Sequence, residues 1–87
     1  MGSFSEIYDY SYKVIANIVN DFIDKPYIIY NIDSFINLII GFENYLSNGY
    51  PDIAHIVVNS VLYAICKEKD CLSMWDSYSI AYEASRS

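Results

Sequence analysis

PDIAHIVVNSVLYAICK, Pro51 to Lys67, is the stretch that decides the fold. On a helical wheel its apolar residues Ala54, Ile56, Val57, Val58, Val61, Leu62, Ala64 and Ile65 fall on nearly every side and leave no polar stripe. The density of β-branched residues also suits a buried strand. The length of the run favours a helix, as does Pro51 at a first helical position, where a missing N–H is no loss. Asp52 suits the positive end of such a helix, and Lys67 and Lys69 suit the negative end. An apolar helix without a polar face must be covered on several sides. The expectation is therefore a central helix with others packed around it.

On the N-terminal side the same reasoning gives two amphipathic helices. The first spans about Ser5 to Asp24, opened by a capping box in Ser3-Phe4-Ser5-Glu6. Ile7, Ser11, Val14, Ile15, Ile18 and Phe22 share one face, opposite Glu6, Asp9, Lys13, Asn20 and Asp24. It stops before Pro26, which lacks a donor and biases its predecessor away from helix. Pro26 to Asn31 reads as an extended connection. The second helix starts at Asn31 or Asp33 and runs to about Ser47, with Ile32, Phe35, Leu38, Ile39, Phe42 and Leu46 as its buried stripe. Asn48-Gly49 is expected to close it with a left-handed glycine. Gly41, inside this helix, costs about 1 kcal/mol against alanine and is expected to permit a close helix crossing near Phe42.

Beyond Lys69 a fourth helix is expected from Asp70 or Ser73, where Ser73-Met74-Trp75-Asp76 resembles a second capping box. Cys71, Trp75, Tyr78 and Tyr82 share its inner face, and residues 85–87 are expected to fray. The whole chain, 1–87, is read as one all-α domain, a small antiparallel bundle of three to four helices.

Candidate chemistry is sparse. Cys66 and Cys71, spaced C-x4-C with one histidine in the chain, fall short of a four-ligand zinc set and read as reduced thiols. His55 is expected to make one polar contact, with Asp52 at i−3. Cys66 lies about 16 Å further along the same helix, too far for a Cys–His dyad. The carboxylate pairs Asp21 with Asp24 and Asp33 with Glu43 lack metal-site or glycosidase spacing and read as solvated acids. No phosphate-binding glycine loop or nucleophile elbow occurs. No catalytic residue, cofactor or metal is expected.

Eleven acids against five bases give the 87-residue chain a net charge of −6, the wrong sign for a nucleic-acid binder. The longest uncharged run, Ile53 to Cys66, is 14 residues, short of the roughly 18 a membrane span needs. Met1 to Tyr10 holds two acids and no base, unlike a secretory signal, so a cytoplasmic protein is expected. Ten tyrosines are the compositional oddity. Tyr8, Tyr10 and Tyr12 cannot all face one core, and Tyr10 shares a stripe with Asn17, Asp21 and Asp24. Tyrosine set among acids suits an interface that steers a basic partner. Tyr27, Tyr30, Tyr45 and Tyr50 form an alternative patch.

In size, acidity and want of a reaction motif the chain resembles bacterial immunity proteins that neutralise colicin-type or contact-dependent-inhibition nuclease toxins. The resemblance implies a small acidic inhibitor of a basic protein partner, a nuclease toxin, with no direct contact to nucleic acid or membrane. On the sequence alone the candidate partner-binding residues are Tyr10, Asp21, Asp24, Asp33 and Glu43, with Asp76 and Glu83 as a second acidic surface. Phage anti-CRISPR proteins are similar for the same physical reason, as is the antitoxin of a cytosolic pair, though that often adds a basic segment lacking here. A helical adaptor within a larger complex is the reading from a different class, and it would carry an apolar interface.

Overall fold

The structure, a computed structural model, describes residues 3–24 and 31–86. It contains four helices, α1 (Phe4–Asp24), α2 (Ile32–Gly49), α3 (Ala54–Glu68) and α4 (Leu72–Arg86), and no strand among the described residues. The fold is an all-α bundle. The extended connection expected over residues 26–30 lies outside the described residues.

α3 is the central element. It packs against each of the other three helices, whereas α1 and α4 do not pack on each other. Val57, Val58, Val61, Leu62, Ile65 and Cys66 are almost wholly buried, as its want of a polar stripe demands. The coverage is not complete, since Ile56 and Tyr63 remain exposed. α1 supplies Ile7, Ile15 and Val19 to the core, α2 supplies Phe35, Ile39 and Leu46, and α4 supplies Met74 and Tyr78. Phe22 meets Phe35 at 5.4 Å and Tyr10 meets Phe42 at 6.0 Å between ring centres, so α1 and α2 run antiparallel. His55 with Tyr82 and Tyr63 with Trp75 define the same relation between α3 and α4.

Local chemistry sets the helix boundaries. The first capping box forms: Ser3 Oγ accepts from the Glu6 N–H at 3.2 Å, and the Ser3 N–H donates back to Glu6 Oε1 at 3.4 Å. Asn31 caps α2 in extended conformation, its side-chain oxygen accepting from the Ser34 N–H at 2.9 Å. Three expected boundaries move. Gly49 does not turn left-handed but stays in the helix, and Tyr50 ends α2 by donating its N–H to the Leu46 carbonyl. Pro51 does not open α3. Residues 51–53 form a turn in which the Tyr50 carbonyl accepts from the N–H groups of both Ile53 and Ala54, and the helix starts at Ala54.

The third shift concerns Asp70, which belongs to the end of α3 and not to the start of α4. It adopts φ 58°, the one positive φ among described non-glycine residues. The Cys71 N–H reaches back to the Cys66 carbonyl at 2.8 Å and the Asp70 N–H to Lys67 at 3.4 Å, the paired bonds of a Schellman ending with aspartate where glycine is usual. α4 then begins at Leu72, which places Ser73 inside the first turn, and the second capping box does not form. At the other end α4 continues to Arg86 where fraying was expected. Arg86 holds it by donating to the Tyr82 hydroxyl at 3.0 Å and lying over that ring at 5.4 Å.

The stripe of α2 is also rotated from expectation. Ile32 and Leu38 are exposed, and the buried positions are 35, 39, 43 and 46. Gly41 is exposed as well, and a methyl group built on it would meet nothing within 4 Å, so no close crossing among the described residues explains it. Trp75 is half-buried, donating from Nε1 to Asn59 Oδ1 at 2.9 Å and meeting Tyr63 edge-on at 4.9 Å.

Two stability predictions follow from these contacts. Ser11 is fully buried and its hydroxyl has no hydrogen-bond partner among the described residues. Ser11→Ala removes an unsatisfied donor and adds helix propensity, so urea denaturation should show a gain of about 1 kcal/mol; a loss would mean that the hydroxyl is bonded. Asp70→Gly relieves the left-handed strain and should raise stability by up to about 1 kcal/mol, read as a higher melting temperature.

Candidate functional site

Glu43 decides how the polar residues are organised. It follows Ile39 by four positions and precedes Leu46 by three, which puts it on the buried side of α2, 8% exposed. It is therefore not part of the acidic surface expected from the sequence. A carboxylate in an apolar core must find donors. Its Oε1 accepts a short hydrogen bond from the hydroxyl of Tyr78 on α4, a residue with no exposed surface. His55, from the first turn of α3, places Nδ1 3.0 Å from the Tyr78 hydroxyl and 3.3 Å from Glu43 Oε1. With the tyrosine proton directed at the carboxylate, an Nδ1–H of His55 is the donor that serves both oxygens. His55 thus pairs with Glu43 and Tyr78, and the Asp52 contact expected from spacing is replaced.

One face of the imidazole is stacked, while the His55 side chain keeps 35% of its surface exposed. Tyr82, one turn beyond Tyr78, stacks on it at 3.5 Å with the rings within 9° of parallel, and Arg86 in turn covers Tyr82. The result is a file running from Glu43 in the core through Tyr78, His55 and Tyr82 to Arg86 at the surface. It ties α2, α3 and α4 together. Burial first, then the hydrogen bond to Glu43 and that carboxylate's charge, push the Tyr78 hydroxyl well above its ordinary value of 10.0. Carboxylate, imidazole and phenol within bonding distance are also the parts of an acid–base site. Here the phenol is sealed in the core, one imidazole face is stacked, and the hydrogen bonds join three helices as a polar staple.

The remaining expected site residues divide into two surfaces. The Phe22–Phe35 contact brings the end of α1 to the start of α2, and Asp21, Asp24 and Asp33 are all exposed at that end of the bundle. Asp21 and Asp24 stand in the last turn of α1, where no base is present and the helix dipole disfavours acids by roughly 0.3–1 kcal/mol each. Asp76 and Glu83 lie apart from these on α4. They share its outward stripe with Leu72 and Ile80, the four at i, i+4, i+8 and i+11 and all exposed, Ile80 to 63%. Tyr10 is exposed but belongs to neither group, because its ring packs against Phe42 and its hydroxyl lies beside that of Tyr45. Of the alternative tyrosine edge, Tyr45 and Tyr50 line an open hollow of about 350 Å³ with Leu46, Asn48 and Gly49, while Tyr27 and Tyr30 lie outside the described residues.

Both cysteines are free. Burial, reinforced by its neighbour Cys71, pushes the Cys66 thiol up to about 12, which keeps it protonated and unreactive at neutral pH. No helix among the described residues is long and apolar enough to cross a membrane. No protein-family model matches the chain, and neither the curated proteins nor the solved structures contain a match.

Sequence reasoning missed the staple. The i, i+4, i+8, i+11 spacing of Phe35, Ile39, Glu43 and Leu46 carries the signal that Glu43 is inside, but the partners Tyr78 and His55 are 35 and 12 residues away. Tyr78→Phe should cost about 2 kcal/mol in urea denaturation, because a hydrogen bond to a buried carboxylate is lost. It should also change the alkaline limb. The raised Tyr78 value gives stability that is complete below pH 10 and is lost as pH rises further, since the unfolded phenol ionises first. Wild type should therefore lose stability more steeply above pH 10 than Tyr78→Phe, and equal slopes would show that Tyr78 is not held protonated.

Proposed function

We propose that the protein is a small acidic inhibitor that binds and neutralises a basic protein partner, acting as an immunity protein against a nuclease toxin. The observation that carries this reading is the outward stripe of α4, where exposed Leu72 and Ile80 alternate with exposed Asp76 and Glu83. Apolar anchors flanked by carboxylates are what a cationic protein surface can bind, the acids steering encounter and the apolar side chains holding the complex. A nuclease carries Lys and Arg to engage phosphates, and carboxylates on a protein blocker can occupy the same groups. The exposed acids Asp21, Asp24 and Asp33 stand together at the α1–α2 end as a further group of carboxylates.

The test is capture on the tagged chain from its native host at low and at moderately high salt, with each retained protein assayed for nuclease activity in the presence of one equivalent of the chain. One basic protein bound in equal stoichiometry, with its nuclease activity abolished, is the expected result. Charge reversal of Asp76 and Glu83 to Lys should then slow association about 10-fold while leaving the helical spectrum unchanged. A salt-insensitive assembly in which no activity is inhibited would replace this reading with the adaptor. An RNA-guided nuclease as the partner would replace it with the anti-CRISPR reading.

A further inference from the structure

The turn between α3 and α4 sets the two cysteines of the chain against each other. In the Schellman ending of α3, Cys66 is the residue whose carbonyl accepts the outer bond, and Cys71 is the one whose N–H donates it, at 2.8 Å. The side chains at these two positions of the motif are the ones that meet, which is why an apolar pair often occupies them. Here both are thiols, and both are free. The Cys71 side chain is a hydrogen-bonding neighbour of the Cys66 thiol. The two differ in access. Cys66 has no exposed surface, whereas Cys71 is half-buried and follows four exposed residues, Lys67 to Asp70.

We propose that Cys66 and Cys71 form a reversible disulfide site, closed by a small-molecule disulfide and reopened by a small-molecule thiol. Their placement carries the proposal. Two residues five apart on a continuous helix point to different sides and stand about 7.5 Å apart along the axis, whereas a disulfide needs β-carbons within roughly 3.5–4.5 Å. Asp70, at φ 58°, folds the chain back and removes that separation. In the first step the Cys71 thiolate attacks one sulfur of the reagent, forming a mixed disulfide and releasing the other half as a thiolate. Cys66 then loses its proton to that base or to solvent and attacks the Cys71 sulfur. The Cys66–Cys71 bond forms, the mixed disulfide breaks, and the second half of the reagent leaves as a thiol. The pair has lost two electrons and two protons, and the reagent has gained them. Burial keeps Cys66 protonated and makes the second step the slow one, while contact with the Cys71 sulfur offsets the small ionised fraction. The closed ring spans only the four residues 67–70, so it constrains the unfolded chain little, and its stability rests on the alignment in the fold. The bond joins the last turn of α3 to the start of α4, the joint that sets Tyr78 and Tyr82 against Glu43 and His55. It uses none of the acids assigned to partner binding.

The full chain equilibrated with glutathione buffers of graded oxidised-to-reduced ratio, folded and in urea, tests it. Remaining thiols are alkylated after an acid quench and the intact mass is read. The internal disulfide, seen as loss of two hydrogens without alkylation, should form in the folded chain with an equilibrium constant about 10-fold above that in urea. Asp70→Gly should keep that ratio, and Asp70→Val should bring it toward one, because a β-branched residue resists a positive φ. Cys66→Ala should stop at a mixed disulfide on Cys71, whereas folded Cys71→Ala should take up no glutathione. The comparison of folded with unfolded wild type needs no variant to fold. A folded wild type whose thiols both remain open to alkylation in a buffer that closes the unfolded chain overturns the proposal, and so does a folded constant no greater than the unfolded one.

Discussion

Burial of α3 is the constraint on which the rest of the structure depends. A helix carrying Val57, Val58, Val61, Leu62 and Ile65 has apolar side chains in too many directions for one neighbour to cover. Three helices must pack on it, and with α1, α2 and α4 that requirement uses every other element of the described chain. The radius of gyration of 12.5 Å is close to the roughly 12 Å of a compact domain of this length. In so small a core each side chain lost is a large share of the apolar surface buried.

Within that core the one acid is held by a set of partners drawn from three helices. Glu43 would be costly to bury alone, and Tyr78 with His55 answers that cost by supplying donors. The arrangement restricts how α2, α3 and α4 can sit relative to one another, since apolar contacts tolerate sliding and a directed hydrogen bond does not. Tyr82 and Arg86 extend the same file outward, and they give the last turn of α4 an anchor that its composition does not suggest.

The surface is partitioned by charge. Acids collect at the α1–α2 end, where Asp33 stands in the first turn of α2, and along the outward side of α4, while the rest of the exposed side of α2 carries none. Carboxylates beside Leu72 and Ile80 are the surface on which the proposed cationic partner would dock, and the side of α2 around Gly41 lacks that charge. Burial of Glu43 sharpens this division, because an outward carboxylate at that position would have put charge beside the neutral face.

Much of the architecture was legible from residue order. Periodicity located all four helices, and the Ser3–Glu6 box and the Asn31 cap behaved as their chemistry requires. These features are local, governed by bonds within a single turn. Helix ends set by competition between local options were less legible: Gly49 stayed helical because Tyr50 could close the helix, and Asp70 took the left-handed position usually given to glycine. Composition determined the apolar content, the net charge and the poverty of reaction chemistry. Only the tertiary structure decided that Glu43 faces inward, that His55 answers to it instead of Asp52, and that Leu38 and Gly41 are left outside. Which of two adjacent stripes on a helix is buried depends on the neighbours it meets, and those neighbours come from parts of the chain too distant for spacing to reveal.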